Sequence, residues 1–248
     1  MRVRIPARPA PRPVLAAAAA ALAAATSGLF AAAPAAAQTY TPLPAHIYAP
    51  YYETYLAPDT PGITATAQAS GARYFTLAFL QSTRKGSCTL DWNGMASQPL
   101  DYYASDTASL RAMGGDVIPS FGGYSADHGG TEIADSCTNV QAIAADYEQV
   151  ITTLGVTRLD MDVESNSLNN TAGITRRNQA IALTRQWAAA NGIPLQIQYT
   201  LPVEQYGLEG PVDKWRETRD AIHAEVCDKG FDRERNTFRA AYDSDLLD

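Results

Sequence analysis

The chain has 248 residues, of which 46% are hydrophobic and 18% are charged, and its formal net charge is −7. This length is sufficient for one large domain or two small ones. The acidic balance argues against nucleic acid or an anionic membrane surface as the main partner.

Residues 1–37 have the pattern of a secretory signal peptide. Arginines recur in the first dozen residues, an Ala-rich apolar run follows from Val14, and the small residues 35–37 precede Gln38. A membrane anchor is the alternative, but Pro34 and the scarcity of leucine make a weak transmembrane helix. We therefore expect a secreted, extracellular chain that begins near Gln38 and leaves the membrane after cleavage.

The chain contains three cysteines. Export permits disulfides, so we expect Cys88 and Cys137 to pair. Closing a loop of that length stabilises a fold by on the order of 4 kcal/mol in the chain-entropy account. Cys227 is left over, and an odd cysteine is unusual in an exported protein.

Five short apolar runs predict strands, and helix-like stretches separate them. The predicted strands are 46–50, 74–80, 116–120, 157–164 and 195–200, and the clearest helices are 138–154 and 172–190. Strands that alternate with helices indicate parallel βαβ units and an α/β fold class. An open doubly wound sheet and a (β/α)8 TIM barrel both satisfy this pattern. The lack of a glycine-rich phosphate loop after the first strand weakens a nucleotide-binding sheet.

Asp160, Asp162 and Glu164 occupy alternate positions of the fourth predicted strand. Side chains alternate between the faces of a strand, so the three acids share one face and lie roughly 6–7 Å apart. In a barrel they face the axis, with Glu164 nearest the C-terminal mouth. Close carboxylates raise one another's pKa, which suits an acid that donates a proton near neutral pH. A solvent-facing acidic strand and a divalent-metal site are alternatives, although no histidine or second acid cluster supports the metal.

Two motifs carry a resemblance to a known family. The stretch 160–164 resembles the end of the DGxDxDxE signature of glycoside hydrolase family 18, the chitinases and their relatives. The stretch 120–123 (SFGG) is similar to the SxGG motif of that family at its third strand. Residues 157–158 replace the leading Asp-Gly of the signature. The resemblance is to the secreted bacterial branch and covers about residues 45–208, with further similarities at 49–51, Phe79 and 199–202.

The resemblance implies a TIM barrel and a substrate-assisted, retaining hydrolysis of β-1,4-linked N-acetylglucosamine polymers such as chitin. Glu164 would protonate the glycosidic oxygen, and Asp162 would orient the substrate acetamido group that attacks the anomeric carbon. Asp160 would hold Asp162 and tune its pKa. The mechanism needs no metal and no organic cofactor. The expected substrate-binding residues are Ser120, Gly122, Gly123, Tyr48, Tyr51, Trp92, Tyr124 and Tyr199.

The five aromatic residues of that set have a second interpretation. Each lies at or just beyond a predicted strand end, where a ring stacks on a sugar or simply packs against the fold. Trp92 and Tyr199 are the preferred candidates for sugar stacking.

The predicted strands number fewer than the eight of the family fold. We therefore expect a partial barrel domain at 38–212, truncated after about five βα units, followed by an unrelated helical tail at 213–248. The tail is rich in charge and resembles a fragment of glycoside hydrolase family 15, the glucoamylase- and trehalase-like enzymes, as in a fusion or a sequence-level join. An oligomer is expected only to complete the barrel. A chito-oligosaccharide-binding protein without turnover and an inactive remnant remain alternatives to an active glycosidase.

Overall fold

The computed structural model of the protein describes residues 39–56, 61–204 and 207–208. The predicted signal peptide (1–37), the predicted tail (213–248) and Cys227 lie outside the described residues and stay predictions. Within the described ranges, no helix is both long enough and apolar enough to cross a membrane.

Most strands of the described chain belong to one sheet. The strands are β1 (Tyr51–Glu53), β2 (Tyr74–Ser82), β3 (Leu90–Trp92), β4 (Asp116–Gly122), β5 (Arg158–Asp162) and β6 (Gln196–Thr200), with a separate hairpin of β7 (Val203–Glu204) and β8 (Gly207–Leu208). Strands β1, β2, β4, β5 and β6 lie side by side in chain order, each parallel to the next. The short β3 pairs with β2 in the antiparallel sense, off this path.

The strand order decides between the two predicted architectures. A doubly wound sheet reverses its strand order near the middle, whereas a barrel adds each new strand on the same side. The observed order never reverses. The described part of the chain therefore contains consecutive βα units of a TIM-barrel-type fold.

Helices separate the parallel strands along the chain. They are α1 (Ile63–Ser70), α2 (Ala104–Ala112), α3 (Tyr124–Gly129), α4 (Ile133–Ser136), α5 (Val140–Leu154), α6 (Ser165–Asn169) and α7 (Thr171–Ala190), with a 3-10 turn at Thr54–Leu56. The side chain of Asn139 caps α5 by accepting the N–H groups of Gln141 and Ala142. One face of α5 is buried, as its helical spacing predicts. The buried residues of α5 are Ile143, Ala144, Tyr147, Val150, Ile151 and Leu154.

The first predicted strand, 46–50, is displaced in the structure. Strand β1 begins at Tyr51, and the carbonyl of Pro50 accepts the N–H of Thr76 on β2. Proline has no N–H to donate, so regular pairing with β2 starts only after it.

The fourth predicted strand, 157–164, ends earlier than the sequence predicts. Strand β5 ends at Asp162, and Glu164 instead occupies the position immediately before α6.

The predicted disulfide between Cys88 and Cys137 is present, with the two Cα atoms 4.7 Å apart. It joins the loop after β2 to the end of α4. The hydroxyl of Ser136 lies within hydrogen-bond distance of two carbonyls of the same loop, those of Arg84 and Ser87. The end of α4 is thus fastened to β2 by covalent and polar contacts together.

A buried ion pair connects α4 to α7. Nη2 of Arg177 lies 3.0 Å from Oε2 of Glu132, and both side chains are almost fully buried. The Glu132 carboxylate also accepts the N–H groups of Ala134 and Asp135 at the start of α4. Removing one partner of such a pair leaves the other charge buried without compensation.

We expect Arg177→Met to lower the free energy of unfolding by about 3–5 kcal/mol, because Glu132 keeps its buried charge. Urea denaturation of the two proteins measures this difference. The exposed Arg73→Met serves as the matched control and should change stability little. Adding Glu132→Gln to Arg177→Met should recover part of the loss. A single variant as stable as the wild type would show that the pair does not hold α7 to α4.

Candidate active site

Asp160 is fully buried in the middle of β5 and is surrounded by polar hydrogens. Its Oδ2 accepts the hydroxyl of Ser120 at 2.6 Å and lies 2.9 Å from the hydroxyl of Tyr51. Its Oδ1 accepts the amide of Gln198 at 3.1 Å and the hydroxyl of Thr200 at 3.0 Å. Burial raises the pKa of Asp160, and these hydrogen bonds oppose that rise. Residues from β1, β4 and β6 therefore converge on one carboxylate of β5.

Asp162 is the next inward-facing residue of β5 and is 7% exposed. Burial raises the pKa of Asp162 to about 8, and the negative charges of Asp160, Glu164 and Asp127 add to the rise. No described side chain donates a hydrogen bond to this carboxylate. Asp162 therefore keeps a proton near neutral pH, and its polar atoms are not already engaged by the described part of the protein.

Glu164 follows β5 directly and is half-buried at the carboxyl end of the strand. Its backbone is extended, and its carbonyl accepts the N–H of Leu168 within the first turn of α6. The apolar residues that alternate with the acids, Leu159, Met161 and Val163, belong to the hydrophobic core. The three acids thus lie on the opposite face of the strand, which is the alternation that the sequence predicts. We call Asp160, Asp162 and Glu164 the carboxylate column.

The two glycines at the end of β4 allow that strand to approach the carboxylate column closely. A Cβ atom on Gly122, whose φ is +102°, would lie 2.2 Å from the carbonyl oxygen of Asp162. A Cβ atom on Gly123 would lie 2.7 Å from the ring of Phe79. The N–H of Gly123 donates to the Asp162 carbonyl at 3.0 Å. Together with Ser120, which binds Asp160, the glycines fix the column from the β4 side.

Two of the predicted aromatic residues are exposed close to the column. The ring of Tyr51 is 41% exposed, although its hydroxyl reaches Asp160, and it packs at a tilt against Phe79. Tyr124 follows Gly123 and is 65% exposed, with its ring stacked on that of His128 at a centroid distance of 3.9 Å. Tyr48, just before β1, is exposed as well. These rings are accessible to a ligand.

The two preferred aromatic candidates, Trp92 and Tyr199, are packing residues instead. Trp92 is fully buried, and its indole N–H donates to the carbonyl of Leu100. Tyr199 alternates with Gln198 on β6 and so faces away from Asp160. Its ring packs against the core, and its hydroxyl lies 3.4 Å from Oδ1 of Asn178 on α7. The packing interpretation of the sequence therefore applies to both.

Three polar residues at or beside the column were missed by the sequence prediction: Gln198, Thr200 and Asp127. The first two alternate with the apolar face of β6, and that polar alternation was a usable signal for an inward-facing pair. Asp127 lies on a short helix that the sequence did not predict. Among the described residues, no group of three or more His, Cys, Asp or Glu side chains is arranged to hold a metal ion.

Sequence relatives of the chain are chitinases. No family model matches it. It is 33% identical over 167 residues to a probable bifunctional chitinase/lysozyme of Escherichia coli (strain K12). It is also 33% identical over 165 residues to endochitinase 11 of Metarhizium anisopliae. Each match covers 66% of this chain, but only 18% of the first relative and 30% of the second.

The solved structures that resemble the chain are also chitinases. The catalytic domain of the hyperthermophilic chitinase from Pyrococcus furiosus superimposes with a TM-score of 0.59 and 26% identity. Catalytic-site mutants of active domain 2 of the thermostable chitinase from that organism, complexed with chito-oligosaccharides, give a TM-score of 0.60 and 25% identity. Each match covers 73% of this chain and 55% of the solved chain. The chain therefore spans about half the length of these domains.

The raised pKa of Asp162 predicts a pH-dependent stability. The folded-state pKa of about 8 exceeds the unfolded value of about 3.9, so the folded protein binds an extra proton between these values. The free energy of unfolding therefore falls as pH rises through that window. We expect Asp162→Asn to reduce the loss between pH 5 and pH 8 by about 1–4 kcal/mol, measured by urea denaturation.

Two comparisons complete this test. Asp146, whose pKa burial raises to about 7, contributes a similar loss in both proteins and cancels in the difference. The exposed Asp101→Asn is the control and should leave the pH dependence as in the wild type. Identical pH profiles for the wild type and Asp162→Asn would contradict a proton held on Asp162.

Gly122→Ala tests the close approach of β4 to Asp162. The control is Gly114→Ala, because Gly114 also has a positive φ of +78° but a Cβ atom there would meet nothing within 4 Å. Both variants bear about 1–2 kcal/mol of backbone strain. We expect Gly122→Ala to lose roughly a further 1–3 kcal/mol in thermal or urea denaturation through the clash with the Asp162 carbonyl. Equal stabilities of Gly122→Ala and Gly114→Ala would mean that the fold does not require the close approach of β4 to Asp162.

Proposed function

We propose that the chain belongs to glycoside hydrolase family 18 and acts as a secreted chitinase-type glycosidase. Its substrate would be a β-1,4-linked N-acetylglucosamine polymer, chitin or a chito-oligosaccharide, hydrolysed with retention at the anomeric carbon. The observation that carries this proposal is the carboxylate column at the carboxyl end of a barrel strand, with accessible aromatic rings beside it. The similarity to chitinases in sequence and fold supports the same conclusion.

The first step uses Glu164 as the acid. Its position after β5 places it at the mouth of the barrel, where it donates a proton to the glycosidic oxygen as the bond to the anomeric carbon breaks. The carbonyl oxygen of the substrate's own acetamido group attacks the anomeric carbon from the opposite face and gives an oxazolinium ion. This substrate-assisted route is the exception to the scheme with two catalytic carboxylates. Water then attacks the anomeric carbon as the bond from that carbon to the acetamido oxygen breaks, and the attacking water gives a proton to Glu164. Two inversions therefore give net retention.

Asp162 supplies the electrostatic part of the mechanism. The carboxyl of Asp162 holds a proton near neutral pH because it is buried among other acids. A positive charge that develops on the acetamido group nearby favours the ionised form of Asp162. The interaction is therefore stronger in the transition state than with the bound substrate, which is the condition for a rate increase. Asp160 holds the neighbouring strand ends in place and adds negative potential at Asp162.

Secretion is part of the same proposal. It is supported by the leader-like sequence and by the disulfide between Cys88 and Cys137, because disulfides persist in oxidising compartments. No metal or organic cofactor enters the mechanism. Nucleic acid is not a partner in this account, and association of two chains would serve to complete the barrel.

Glu164→Gln separates catalysis from binding. We expect hydrolysis of chitopentaose to fall by about 10²–10⁴-fold because the general acid is lost. The affinity for the same oligosaccharide, measured by isothermal titration calorimetry, should stay within about threefold. Glu148→Gln, at a half-buried position of α5 outside the carboxylate column, is the matched control and should keep wild-type turnover.

The outcomes distinguish the candidate functions. Wild-type turnover that persists in Glu164→Gln would exclude Glu164 as the acid. Wild-type binding without turnover would instead favour a chito-oligosaccharide-binding protein. A wild-type chain that neither binds nor hydrolyses would contradict both and leave an inactive remnant.

A further inference from the structure

We propose that Asp127, which the mechanism above does not use, is a positioning residue that holds Glu164 in its place through the backbone of α6. The catalytic part of this inference rests on the proposed function. The structural part, the capture of the α6 backbone, stands by itself.

Asp127 binds the chain immediately after Glu164. It lies on α3 and is buried, with 3% of its surface exposed. Its Oδ2 accepts the N–H of Asn166 at 2.9 Å, and its Oδ1 accepts the N–H of Ser167. One carboxylate thus receives two consecutive backbone N–H groups at the start of α6.

These N–H groups have no partner inside their own helix. The first N–H groups of a helix cannot bond backwards along it, and a side chain at the preceding position usually accepts one of them. Glu164 stands at that position of α6, but its side chain makes no capping hydrogen bond. Asp127 supplies the cap from a different helix, α3.

A second carboxylate fastens the other side of α6. Asp135 accepts the hydroxyl of Ser167 at 2.5 Å and the amide of Asn170 at 2.8 Å. Asp135 in turn lies in α4, where its backbone N–H donates to Glu132 of the buried pair with Arg177. The segment after Glu164 is therefore held at two points, and Asp127 is the point nearest to the acid.

Asp127 also contributes charge to the carboxylate column. The groups that face Asp162 are Asp160 and Glu164 from its own segment, Tyr51 from β1 and Asp127 from α3. His128 is adjacent, with its Nδ1 3.6 Å from Oδ2 of Asp127. Removing the negative charge of Asp127 should lower the pKa of Asp162.

Two substitutions separate hydrogen bonding from charge. Asp127→Ala removes both acceptors and the charge, whereas Asp127→Asn keeps one acceptor oxygen and the shape but removes the charge. Asp101→Asn is a matched control, because this aspartate is exposed and far from α6 in the chain. All proteins are made as the full chain.

The first readouts do not depend on turnover. Amide hydrogen exchange of Asn166 and Ser167, followed by NMR, should accelerate at least tenfold in Asp127→Ala and less in Asp127→Asn, while the amides of α5 stay protected. The ¹³C titration of the Asp162 carboxyl should move to lower pH in Asp127→Asn and stay in place in Asp101→Asn. Unchanged exchange at Asn166 and Ser167 in both Asp127 variants would overturn the proposal.

Turnover then tests the catalytic consequence. We expect kcat on chitopentaose to fall about 10–100-fold in Asp127→Ala, since a misplacement of about 1 Å has that effect, with KM within threefold. Asp127→Asn should recover part of kcat. If kcat is unchanged while exchange accelerates, the positioning role is wrong. A wild-type chain without turnover would count against the proposed function only, and the exchange and titration results would still decide the role of Asp127. If Asp127→Ala does not fold, the amide exchange, the titration and the turnover are compared between the wild type and Asp127→Asn alone.

Discussion

The buried carboxylate of Asp160 is the constraint on which the rest of the site depends. A carboxylate removed from water costs several kcal/mol unless hydrogen bonds replace its solvation. The residues directly beside Asp160 in the sheet register, Ser120 on β4 and Gln198 on β6, are two of those that bind it. A shift of either strand by one residue would turn its polar group away and leave the carboxylate without it. The register of three strands is thus set by the need to solvate one acid.

The other two acids of the carboxylate column, Asp162 and Glu164, lie in environments that differ from that of Asp160. Asp162 lies two residues further along β5, in contact with the glycine end of β4, but no described side chain donates a hydrogen bond to its carboxyl group. Glu164 lies two residues beyond, where β5 has ended and α6 begins. Placement of Glu164 is therefore no longer determined by the sheet. It depends on the carboxylates of Asp127 and Asp135, which bind α6 from α3 and α4. Of these two helices, α4 is anchored by the disulfide at its end and by the buried ion pair at its start.

Sequence patterns of short range predicted much of this arrangement. The alternation of acids and apolar residues along β5 placed the carboxylate column on one face, and the repeated strand–helix order predicted the parallel sheet. The expected export of the chain to an oxidising compartment led to the prediction of the disulfide between Cys88 and Cys137, which is present. The error at β1 came from the missing N–H of Pro50, which delays regular pairing. Tyr199 was misplaced although the same alternation, applied to Gln198 and Thr200, turns it toward the helices.

The features that the sequence did not predict depend on contacts between segments that are distant in the chain. Trp92 is buried because β3 folds back on β2, and a strand of three residues leaves little periodic signal. Asp127 is an isolated acid whose partners, Asn166 and Ser167, follow it by about 40 residues. No local pattern connects them. The role of such a residue follows only from the three-dimensional arrangement.

The central claim is that the carboxylate column carries out substrate-assisted hydrolysis. The most direct test is to incubate the full chain with chitopentaose and record the anomeric ¹H NMR signals of the new reducing ends before mutarotation. The account predicts that the β-anomer appears first, because attack by the acetamido oxygen and then by water restores the original configuration. An α-anomer as the first product, or no cleavage of the oligosaccharide, would contradict it.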